Sequence, residues 1–233
     1  MLTLAFETSA KAASVALMEG EKLLGESYQN TGLTHSQTLM VMAEDLLKAC
    51  GKTAQQVEAV AVAEGPGSFT GVRIGVAAAK GFSWGKQIPC YGVSTLEAMA
   101  LDLGVYEGIV VPTMDARRSQ TYTAIFRAEA GKLSRLEEDM AVSFQELKEK
   151  LKTFQEPVFL VGDGALLCYN TLLEEVPTLV LPPEHRMHQR AAGVALAAKR
   201  MMDAGEPGNG AELSPNYLRL SQAERERLAR ENR

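Results

Sequence analysis

Residues 64–75 read EGPGSFTGVRIG, a run in which glycine, proline and hydroxyl side chains precede an apolar stretch. Backbone N–H groups at such a helix start can hold an anion, so Gly65, Gly67, Ser68 and Thr70 are candidate contacts for a phosphate or nucleotide. The spacing matches neither nucleotide fingerprint. A P-loop needs Gly-Lys-Ser/Thr, because lysine and hydroxyl complete phosphate and metal binding, yet Val72-Arg73 follow Gly71 here. The dinucleotide pattern begun at Gly65 needs its third glycine where Thr70 stands. The second reading of the same glycines is mechanical: they close the turn and let strand and helix pack closely.

Carboxylates mark two more positions. Glu7 follows the apolar run LTLAF, and Asp115 follows IVVPTM. The only histidines are His35, His185 and His188; the last two, three residues apart, make an incomplete metal site on their own. Neither HExxH nor HxxxH occurs, and the one run with the letters GxSxG, GFSWG at 81–85, falls inside the helix predicted over 72–85 and so is no nucleophile elbow. No nucleophile, base and orienter assemble, so no catalytic residue and no metal ligand set is expected.

The bulk properties narrow the partners. A net charge of -5 lacks the basic balance of a chain that grips nucleic acid by itself, so any such role is shared with a partner. Cys50, Cys90 and Cys168 are odd in number and far apart, which suits buried thiols in a reducing compartment. The N-terminus has no basic n-region, and no run of about 18 apolar residues occurs, so a cytoplasmic location off the membrane is expected.

The elements that must position these residues repeat. Strands are predicted at 2–6, 13–18 and 23–29, a helix over 36–50, a strand at 57–63, a helix over 72–85, a strand at 89–92 and a helix over 94–103. The second half returns the same order: 109–114, 121–128 and 132–137, a helix over 144–151, 158–161, a helix after Gly164, 179–181, and a long helix from 187 to 204. Aligning Glu7 with Asp115 gives an offset of 108 residues. Two βββαβαβα halves are the layout of tandem ribonuclease-H-like folds, the α/β class of actin, hexokinase and Hsp70 ATPases (ASKHA). The expected division is 1–104, 105–205, and a tail 206–233 that packs back on the first half.

In that layout each first hairpin supplies a phosphate loop. Glu7-Thr8-Ser9 suits the role, but Asp115-Ala116-Arg117-Arg118 offers no glycine and sends Arg117 toward the cleft. Asp163 in Gly162-Asp163-Gly164 adds negative charge where a nucleotide would lie. Two apolar helices flank the glycine loop. On the first, Leu39, Met42 and Leu46 share one side with Ala43, Leu47 and Cys50. The second, VRIGVAAAKGFSWG, is apolar nearly all round, which calls for cover on more than one side, by its own domain or by a partner.

EGPGSFTGVRIG followed by GVSTLEA (92–98), together with FETSAKAASVAL, THSQTLM, MDARRSQTYTAIF and SPNYLRL, resembles the bacterial TsaB (YeaZ) family along the whole chain. The resemblance implies a non-catalytic scaffold that pairs with TsaD, the subunit that installs threonylcarbamoyl on the adenosine beside the anticodon of ANN-decoding tRNAs. It implies a homodimer through the same surface, TsaE as a further partner, tRNA contact only through the complex, and ATP used by the complex rather than by this chain. The interface implied is His35, Leu39, Met42, Leu46, Val72, Ile74, Gly75, Ala78 and Phe82; Arg117 joins the glycine loop as a candidate anion contact. Where TsaD carries HxxxH metal ligands, the matching frame here holds Thr95 and Met99. The alternatives are an actin-like ATPase or sugar kinase, and a metallopeptidase.

Overall fold

The computed structural model describes residues 1–219; the charged run at 221–233 lies outside them. The N-terminal half forms β1 (Leu2–Glu7), β2 (Ala13–Glu19), β3 (Lys22–Gln29), α1 (His35–Ala49), β4 (Ala59–Gly65), α2 (Phe69–Lys86), β5 (Cys90–Ser94) and α3 (Thr95–Leu103). The C-terminal half repeats the order as β6 (Gly108–Asp115), β7 (Gln120–Glu129), β8 (Lys132–Ser143), α4 (Phe144–Leu151), β9 (Val158–Val161), α5 (Ala165–Leu172), β10 (Leu179–Val180) and α6 (Ala191–Asp203). The two five-stranded sheets run β3-β2-β1-β4-β5 and β10-β9-β6-β7-β8. In each, the first three strands pair antiparallel and the later ones add in parallel. This is the mixed α/β architecture of tandem ASKHA halves.

Alternating side chains explain the layers. On one face of the first sheet, Leu4, Phe6, Val15, Leu17, Val60 and Val62 pack under α1 and α2. The intervening residues Ala5, Ala16, Ala59, Ala61 and Ala63 form a flat opposite face, and α6 (AAGVALAAKRMMD) lies on it with its own alanines. Small against small lets helix and sheet approach closely. α3 packs across the other way: Leu96, Met99 and Ala100 join Val110, Met114, Phe126 and Val161 of the second half. The two helices meet at Gly193, where any Cβ would collide with the Ala98 carbonyl. The last helix of each half therefore ties the halves together.

Three sequence expectations change. α2 begins at Phe69, not Val72, because Ser68 already caps it: its Oγ accepts from the Gly71 N–H at 3.3 Å. The long helix expected from 187 starts at Ala191. Residues 187–190 are drawn away, with the Met187 carbonyl accepting from Gly162 N–H and Arg190 extended at φ -139°. The offset of 108 fails beyond the first strands: Glu7 pairs with Ser14 but Asp115 with Thr121, so the second hairpin connection is one residue shorter.

Candidate functional site: a central cleft and an apolar helix face

Between the halves lies a cleft of roughly 720 Å³. Ser9 and Lys11 of the β1–β2 turn, Gly67, Ser68 and Phe69 of the α2 start, and Asp115, Arg117 and Arg118 of the β6–β7 turn line it. Asp163, His188 and Arg219 complete the wall. The α2 start is seated directly on the first hairpin. Ser68 N–H donates to the Ser9 carbonyl at 2.7 Å, and Thr8 Oγ1 donates to the Gly71 carbonyl at 2.8 Å. A Cβ at Gly71 would collide with the Thr8 carbonyl, and one at Gly75 with Thr8 Oγ1. These two glycines are therefore close-approach residues.

Two carboxyls are buried at or behind the cleft wall. Glu7 is wholly buried; one oxygen accepts from Ser9 N–H, and the other has no partner among the described residues. Burial pushes its carboxyl up to about 7, and the nearby charge of Asp163 adds to the shift. Burial also raises Asp163, against the opposing pull of its hydrogen bond from Gln189 Nε2 at 2.9 Å. The mouth is basic, with Lys11, Arg117, Arg118 and Arg219 around it. Arg117, Arg118 and Ser119 are all left-handed, at φ 62°, 56° and 56°. Such backbone costs on the order of 1 kcal/mol or more per residue and persists only where surroundings hold it. Here the Asp115 carboxylate accepts from Arg117 N–H at 2.7 Å, and Ala116 N–H donates to the Gln120 carbonyl.

These groups do not fit the magnesium nucleotide that the fold class implies. The second hairpin turn carries arginines where a backbone approach to phosphate needs glycine, and the Asp163 carboxylate lines the same cleft. Among the described residues, no three His, Cys, Asp or Glu side chains group as metal ligands. Thr95 is buried with Oγ1 unpartnered among the described residues, and Met99 is core. His188 lies 3.7 Å from Glu184 and lines the cleft, whereas His185 does not.

The candidate anion contacts separate. Gly67, Ser68 and Arg117 line the central cleft. Thr70 lines a neighbouring cavity of about 460 Å³ with Lys11, Leu33, Thr34, His35 and Ile74. Gly65 is removed from both: it is buried at φ 128° beneath the Asn216 carbonyl, which leaves no room for a side chain or a ligand.

The apolar helices also divide differently from expectation. Leu39, Met42, Leu46 and Val72 are at most 8% exposed and belong to the core of their own half, so they offer a partner no side chain. Gly75 is likewise buried against Thr8. The physical reason is that the strongest helical periodicity faces the sheet beneath it. His35 is half-buried, with Nε2 2.8 Å from the Ala10 carbonyl. Ile74, Ala78 and Phe82 are half-buried and continue onto the surface with exposed Ala77, Gly81 and Gly85. That set repeats at i, i+3, i+4, i+7, i+8 and i+11, a second apolar stripe opposite the buried Val72, Gly75, Val76, Ala79 and Ser83. On α1, Met40 and Val41 are 45% and 56% exposed, and Trp84 beside the α2 stripe is 79% exposed. The interface set expected from the sequence left out Met40 of α1 and Ala77 and Gly81 of α2, all of which are exposed; for the last two, the period of α2 carried that signal.

A family model described as "TsaD: tRNA N6-adenosine threonylcarbamoyltransferase" matches residues 29–226. The Bacillus subtilis (strain 168) protein named tRNA threonylcarbamoyladenosine biosynthesis protein TsaB is 32% identical over 225 residues, 96% of this chain and 96% of its own. The Escherichia coli (strain K12) protein of the same name is 33% identical over 167 residues, 70% of this chain and 72% of its own. A Pseudomonas aeruginosa crystal structure, described as having similarity to peptidase YEAZ, superposes with a TM-score of 0.80 at 25% identity. That match covers 94% of this chain and 99% of the other. No helix among the described residues is long and apolar enough to cross a membrane.

Proposed function

The chain belongs to the TsaB (YeaZ) family, whose named members act in tRNA threonylcarbamoyladenosine biosynthesis, and from that premise we propose that it is a non-catalytic scaffold that docks the transferase TsaD through α2 and α1. The observation that carries this reading is the second apolar stripe of α2. Ile74, Ala78 and Phe82 pack partly against the core of their own half, while Ala77, Gly81 and Gly85 of the same stripe stay exposed beside Trp84, and such a partly covered apolar face marks an interaction surface. The small residues Ala77, Ala78, Gly81 and Gly85 would let a partner helix approach closely, and Phe82 and Ile74 supply apolar area. Two copies of this chain would use the same face as a homodimer, in competition with TsaD. TsaE joins that assembly, and tRNA is reached through it in the cytoplasm. The chain contributes no catalytic group; ATP is consumed by the complex.

The test is direct. Ala77→Glu, at an exposed position, would place an unpaired charge in the contact while leaving the fold intact, and binding to purified TsaD should be lost. Retained binding and an unchanged dimer on a sizing column would refute the face.

A second reading concerns the cleft mouth. Gly67, Ser68 and Arg117 surround the start of an 18-residue helix, which favours negative charge. Calorimetric titration with pyrophosphate, with and without Arg117→Glu, tests this. Equal heats for both would remove it.

A further inference from the structure

The motif SPNYLRL has no part in the reading above. We propose that residues 208–219 form a strap that fixes the first turn of α2 to the C-terminal half, with Tyr217 and Arg219 as its fasteners. The cleft mouth and the apolar face of α2 are thereby mechanically linked. The proposal deepens the scaffold reading, since the linked helix is the one that reading assigns to the partner.

The strap is anchored along its length. Leu213 is buried in the core of the first half, and Lys80 Nζ donates to the Leu213 carbonyl at 2.8 Å. Asn216 N–H donates to the Glu64 carbonyl at 2.6 Å, at the end of β4. These contacts hold the strap to the edge of the first sheet. Its last residues do something different.

The Tyr217 ring stacks on Phe69, the first residue of α2, with centroids 3.9 Å apart and planes 6° from parallel. Arg73, one turn on, lies over both rings, and its Nε donates to the Tyr217 hydroxyl at 2.7 Å. Two residues later, Arg219 Nη1 crosses to the other half and donates to the Ala116 carbonyl at 2.7 Å. Ala116 immediately precedes the three left-handed residues Arg117, Arg118 and Ser119. A turn held in that region needs outside contacts to keep its shape, and Arg219 supplies one from the strap. Phe69 and Arg219 both line the cleft. A displacement of either fastener therefore reaches the α2 start on one side and the β6–β7 turn on the other.

The test is hydrogen exchange on the full chain, comparing wild type with Tyr217→Ala, Tyr217→Phe and Arg219→Ala. Loss of either fastener should speed amide exchange by about tenfold at both 69–75 and 115–121, while β1 and β4 stay protected. Tyr217→Phe keeps the stack and should leave both segments within about twofold of wild type. The proposal is overturned if each alanine variant loosens only the segment it touches, or neither. Should Tyr217→Ala unfold the chain, β1 and β4 will exchange too, and Arg219→Ala decides alone, because it removes the hydrogen bond to the Ala116 carbonyl and leaves the Phe69–Tyr217 stack in place. A parallel measurement of TsaD affinity should show weakening of about fivefold or more in Arg219→Ala. If wild type does not bind TsaD at all, the scaffold reading fails and the exchange result still stands by itself.

Discussion

Replacing Glu7 by glutamine isolates the electrostatics of the carboxyl buried behind the cleft wall. Burial raises this carboxyl from an ordinary 4.5 to about 7 in the folded chain. A carboxyl raised in this way binds more protons folded than unfolded, so it favours the fold below about pH 4.5, and that contribution is lost as pH rises through 7. A shift of about 2.5 units corresponds to about 3 kcal/mol at the high-pH limit, of which roughly 2.5 kcal/mol falls between pH 5 and pH 8. Glutamine keeps the oxygen that accepts from Ser9 N–H and cannot ionise. Urea unfolding of wild type and Glu7→Gln at both pH values measures the difference. Relative to the variant, the wild type should lose roughly 2.5 kcal/mol on going from pH 5 to pH 8, or about 5–10 °C in melting temperature. Parallel stability profiles for the two proteins would show that the carboxyl is ionised and compensated in the fold, and the account of this buried group would be wrong.

Other substitutions test packing and surface separately. Gly71→Ala drives a methyl group into the Thr8 carbonyl and should cost about 1–3 kcal/mol in urea unfolding; an unchanged midpoint would contradict the close-approach role. Met42→Glu should unfold the chain, since Met42 is core, whereas Ala77→Glu should leave circular dichroism and melting unchanged while weakening the homodimer and the TsaD complex by at least about a hundredfold. The reverse pattern, a folded Met42→Glu that no longer associates, would restore the buried set as the interface.

Much of the layer plan was legible because strand alternation is strict. Leu4 and Phe6 around Ala5, or Val60 and Val62 between alanines, announce a sheet covered on both faces. The exchange of α3 and α6 between halves was not, because Leu96, Met99 and the alanines of α6 suit any apolar neighbour and carry no address. For the site, Ser68, Asp115 and Arg117 line one cleft, and Glu7 lies buried behind Ser9 of the same wall; the glycine loop and the twofold repeat made these positions visible in the sequence. The helix faces were misread for a physical reason. When a helix carries two apolar stripes, periodicity identifies both and does not say which one the sheet takes. Val72 and Met42 went to the sheet, leaving Ala77, Gly81 and Val41 at the surface. Gly65 was misplaced because its cover, Asn216, comes from a segment about 150 residues away whose path no local pattern encodes.

The central claim is that this chain acts by docking and not by chemistry. Threonylcarbamoyl transfer to tRNA can be reconstituted from purified TsaD, TsaE, threonylcarbamoyl-adenylate and ATP, with this chain added or left out. The account predicts no transfer by this chain alone, and a rise in TsaD-dependent modification on adding wild type that Ala77→Glu fails to produce. Equal modification with and without the chain would contradict it.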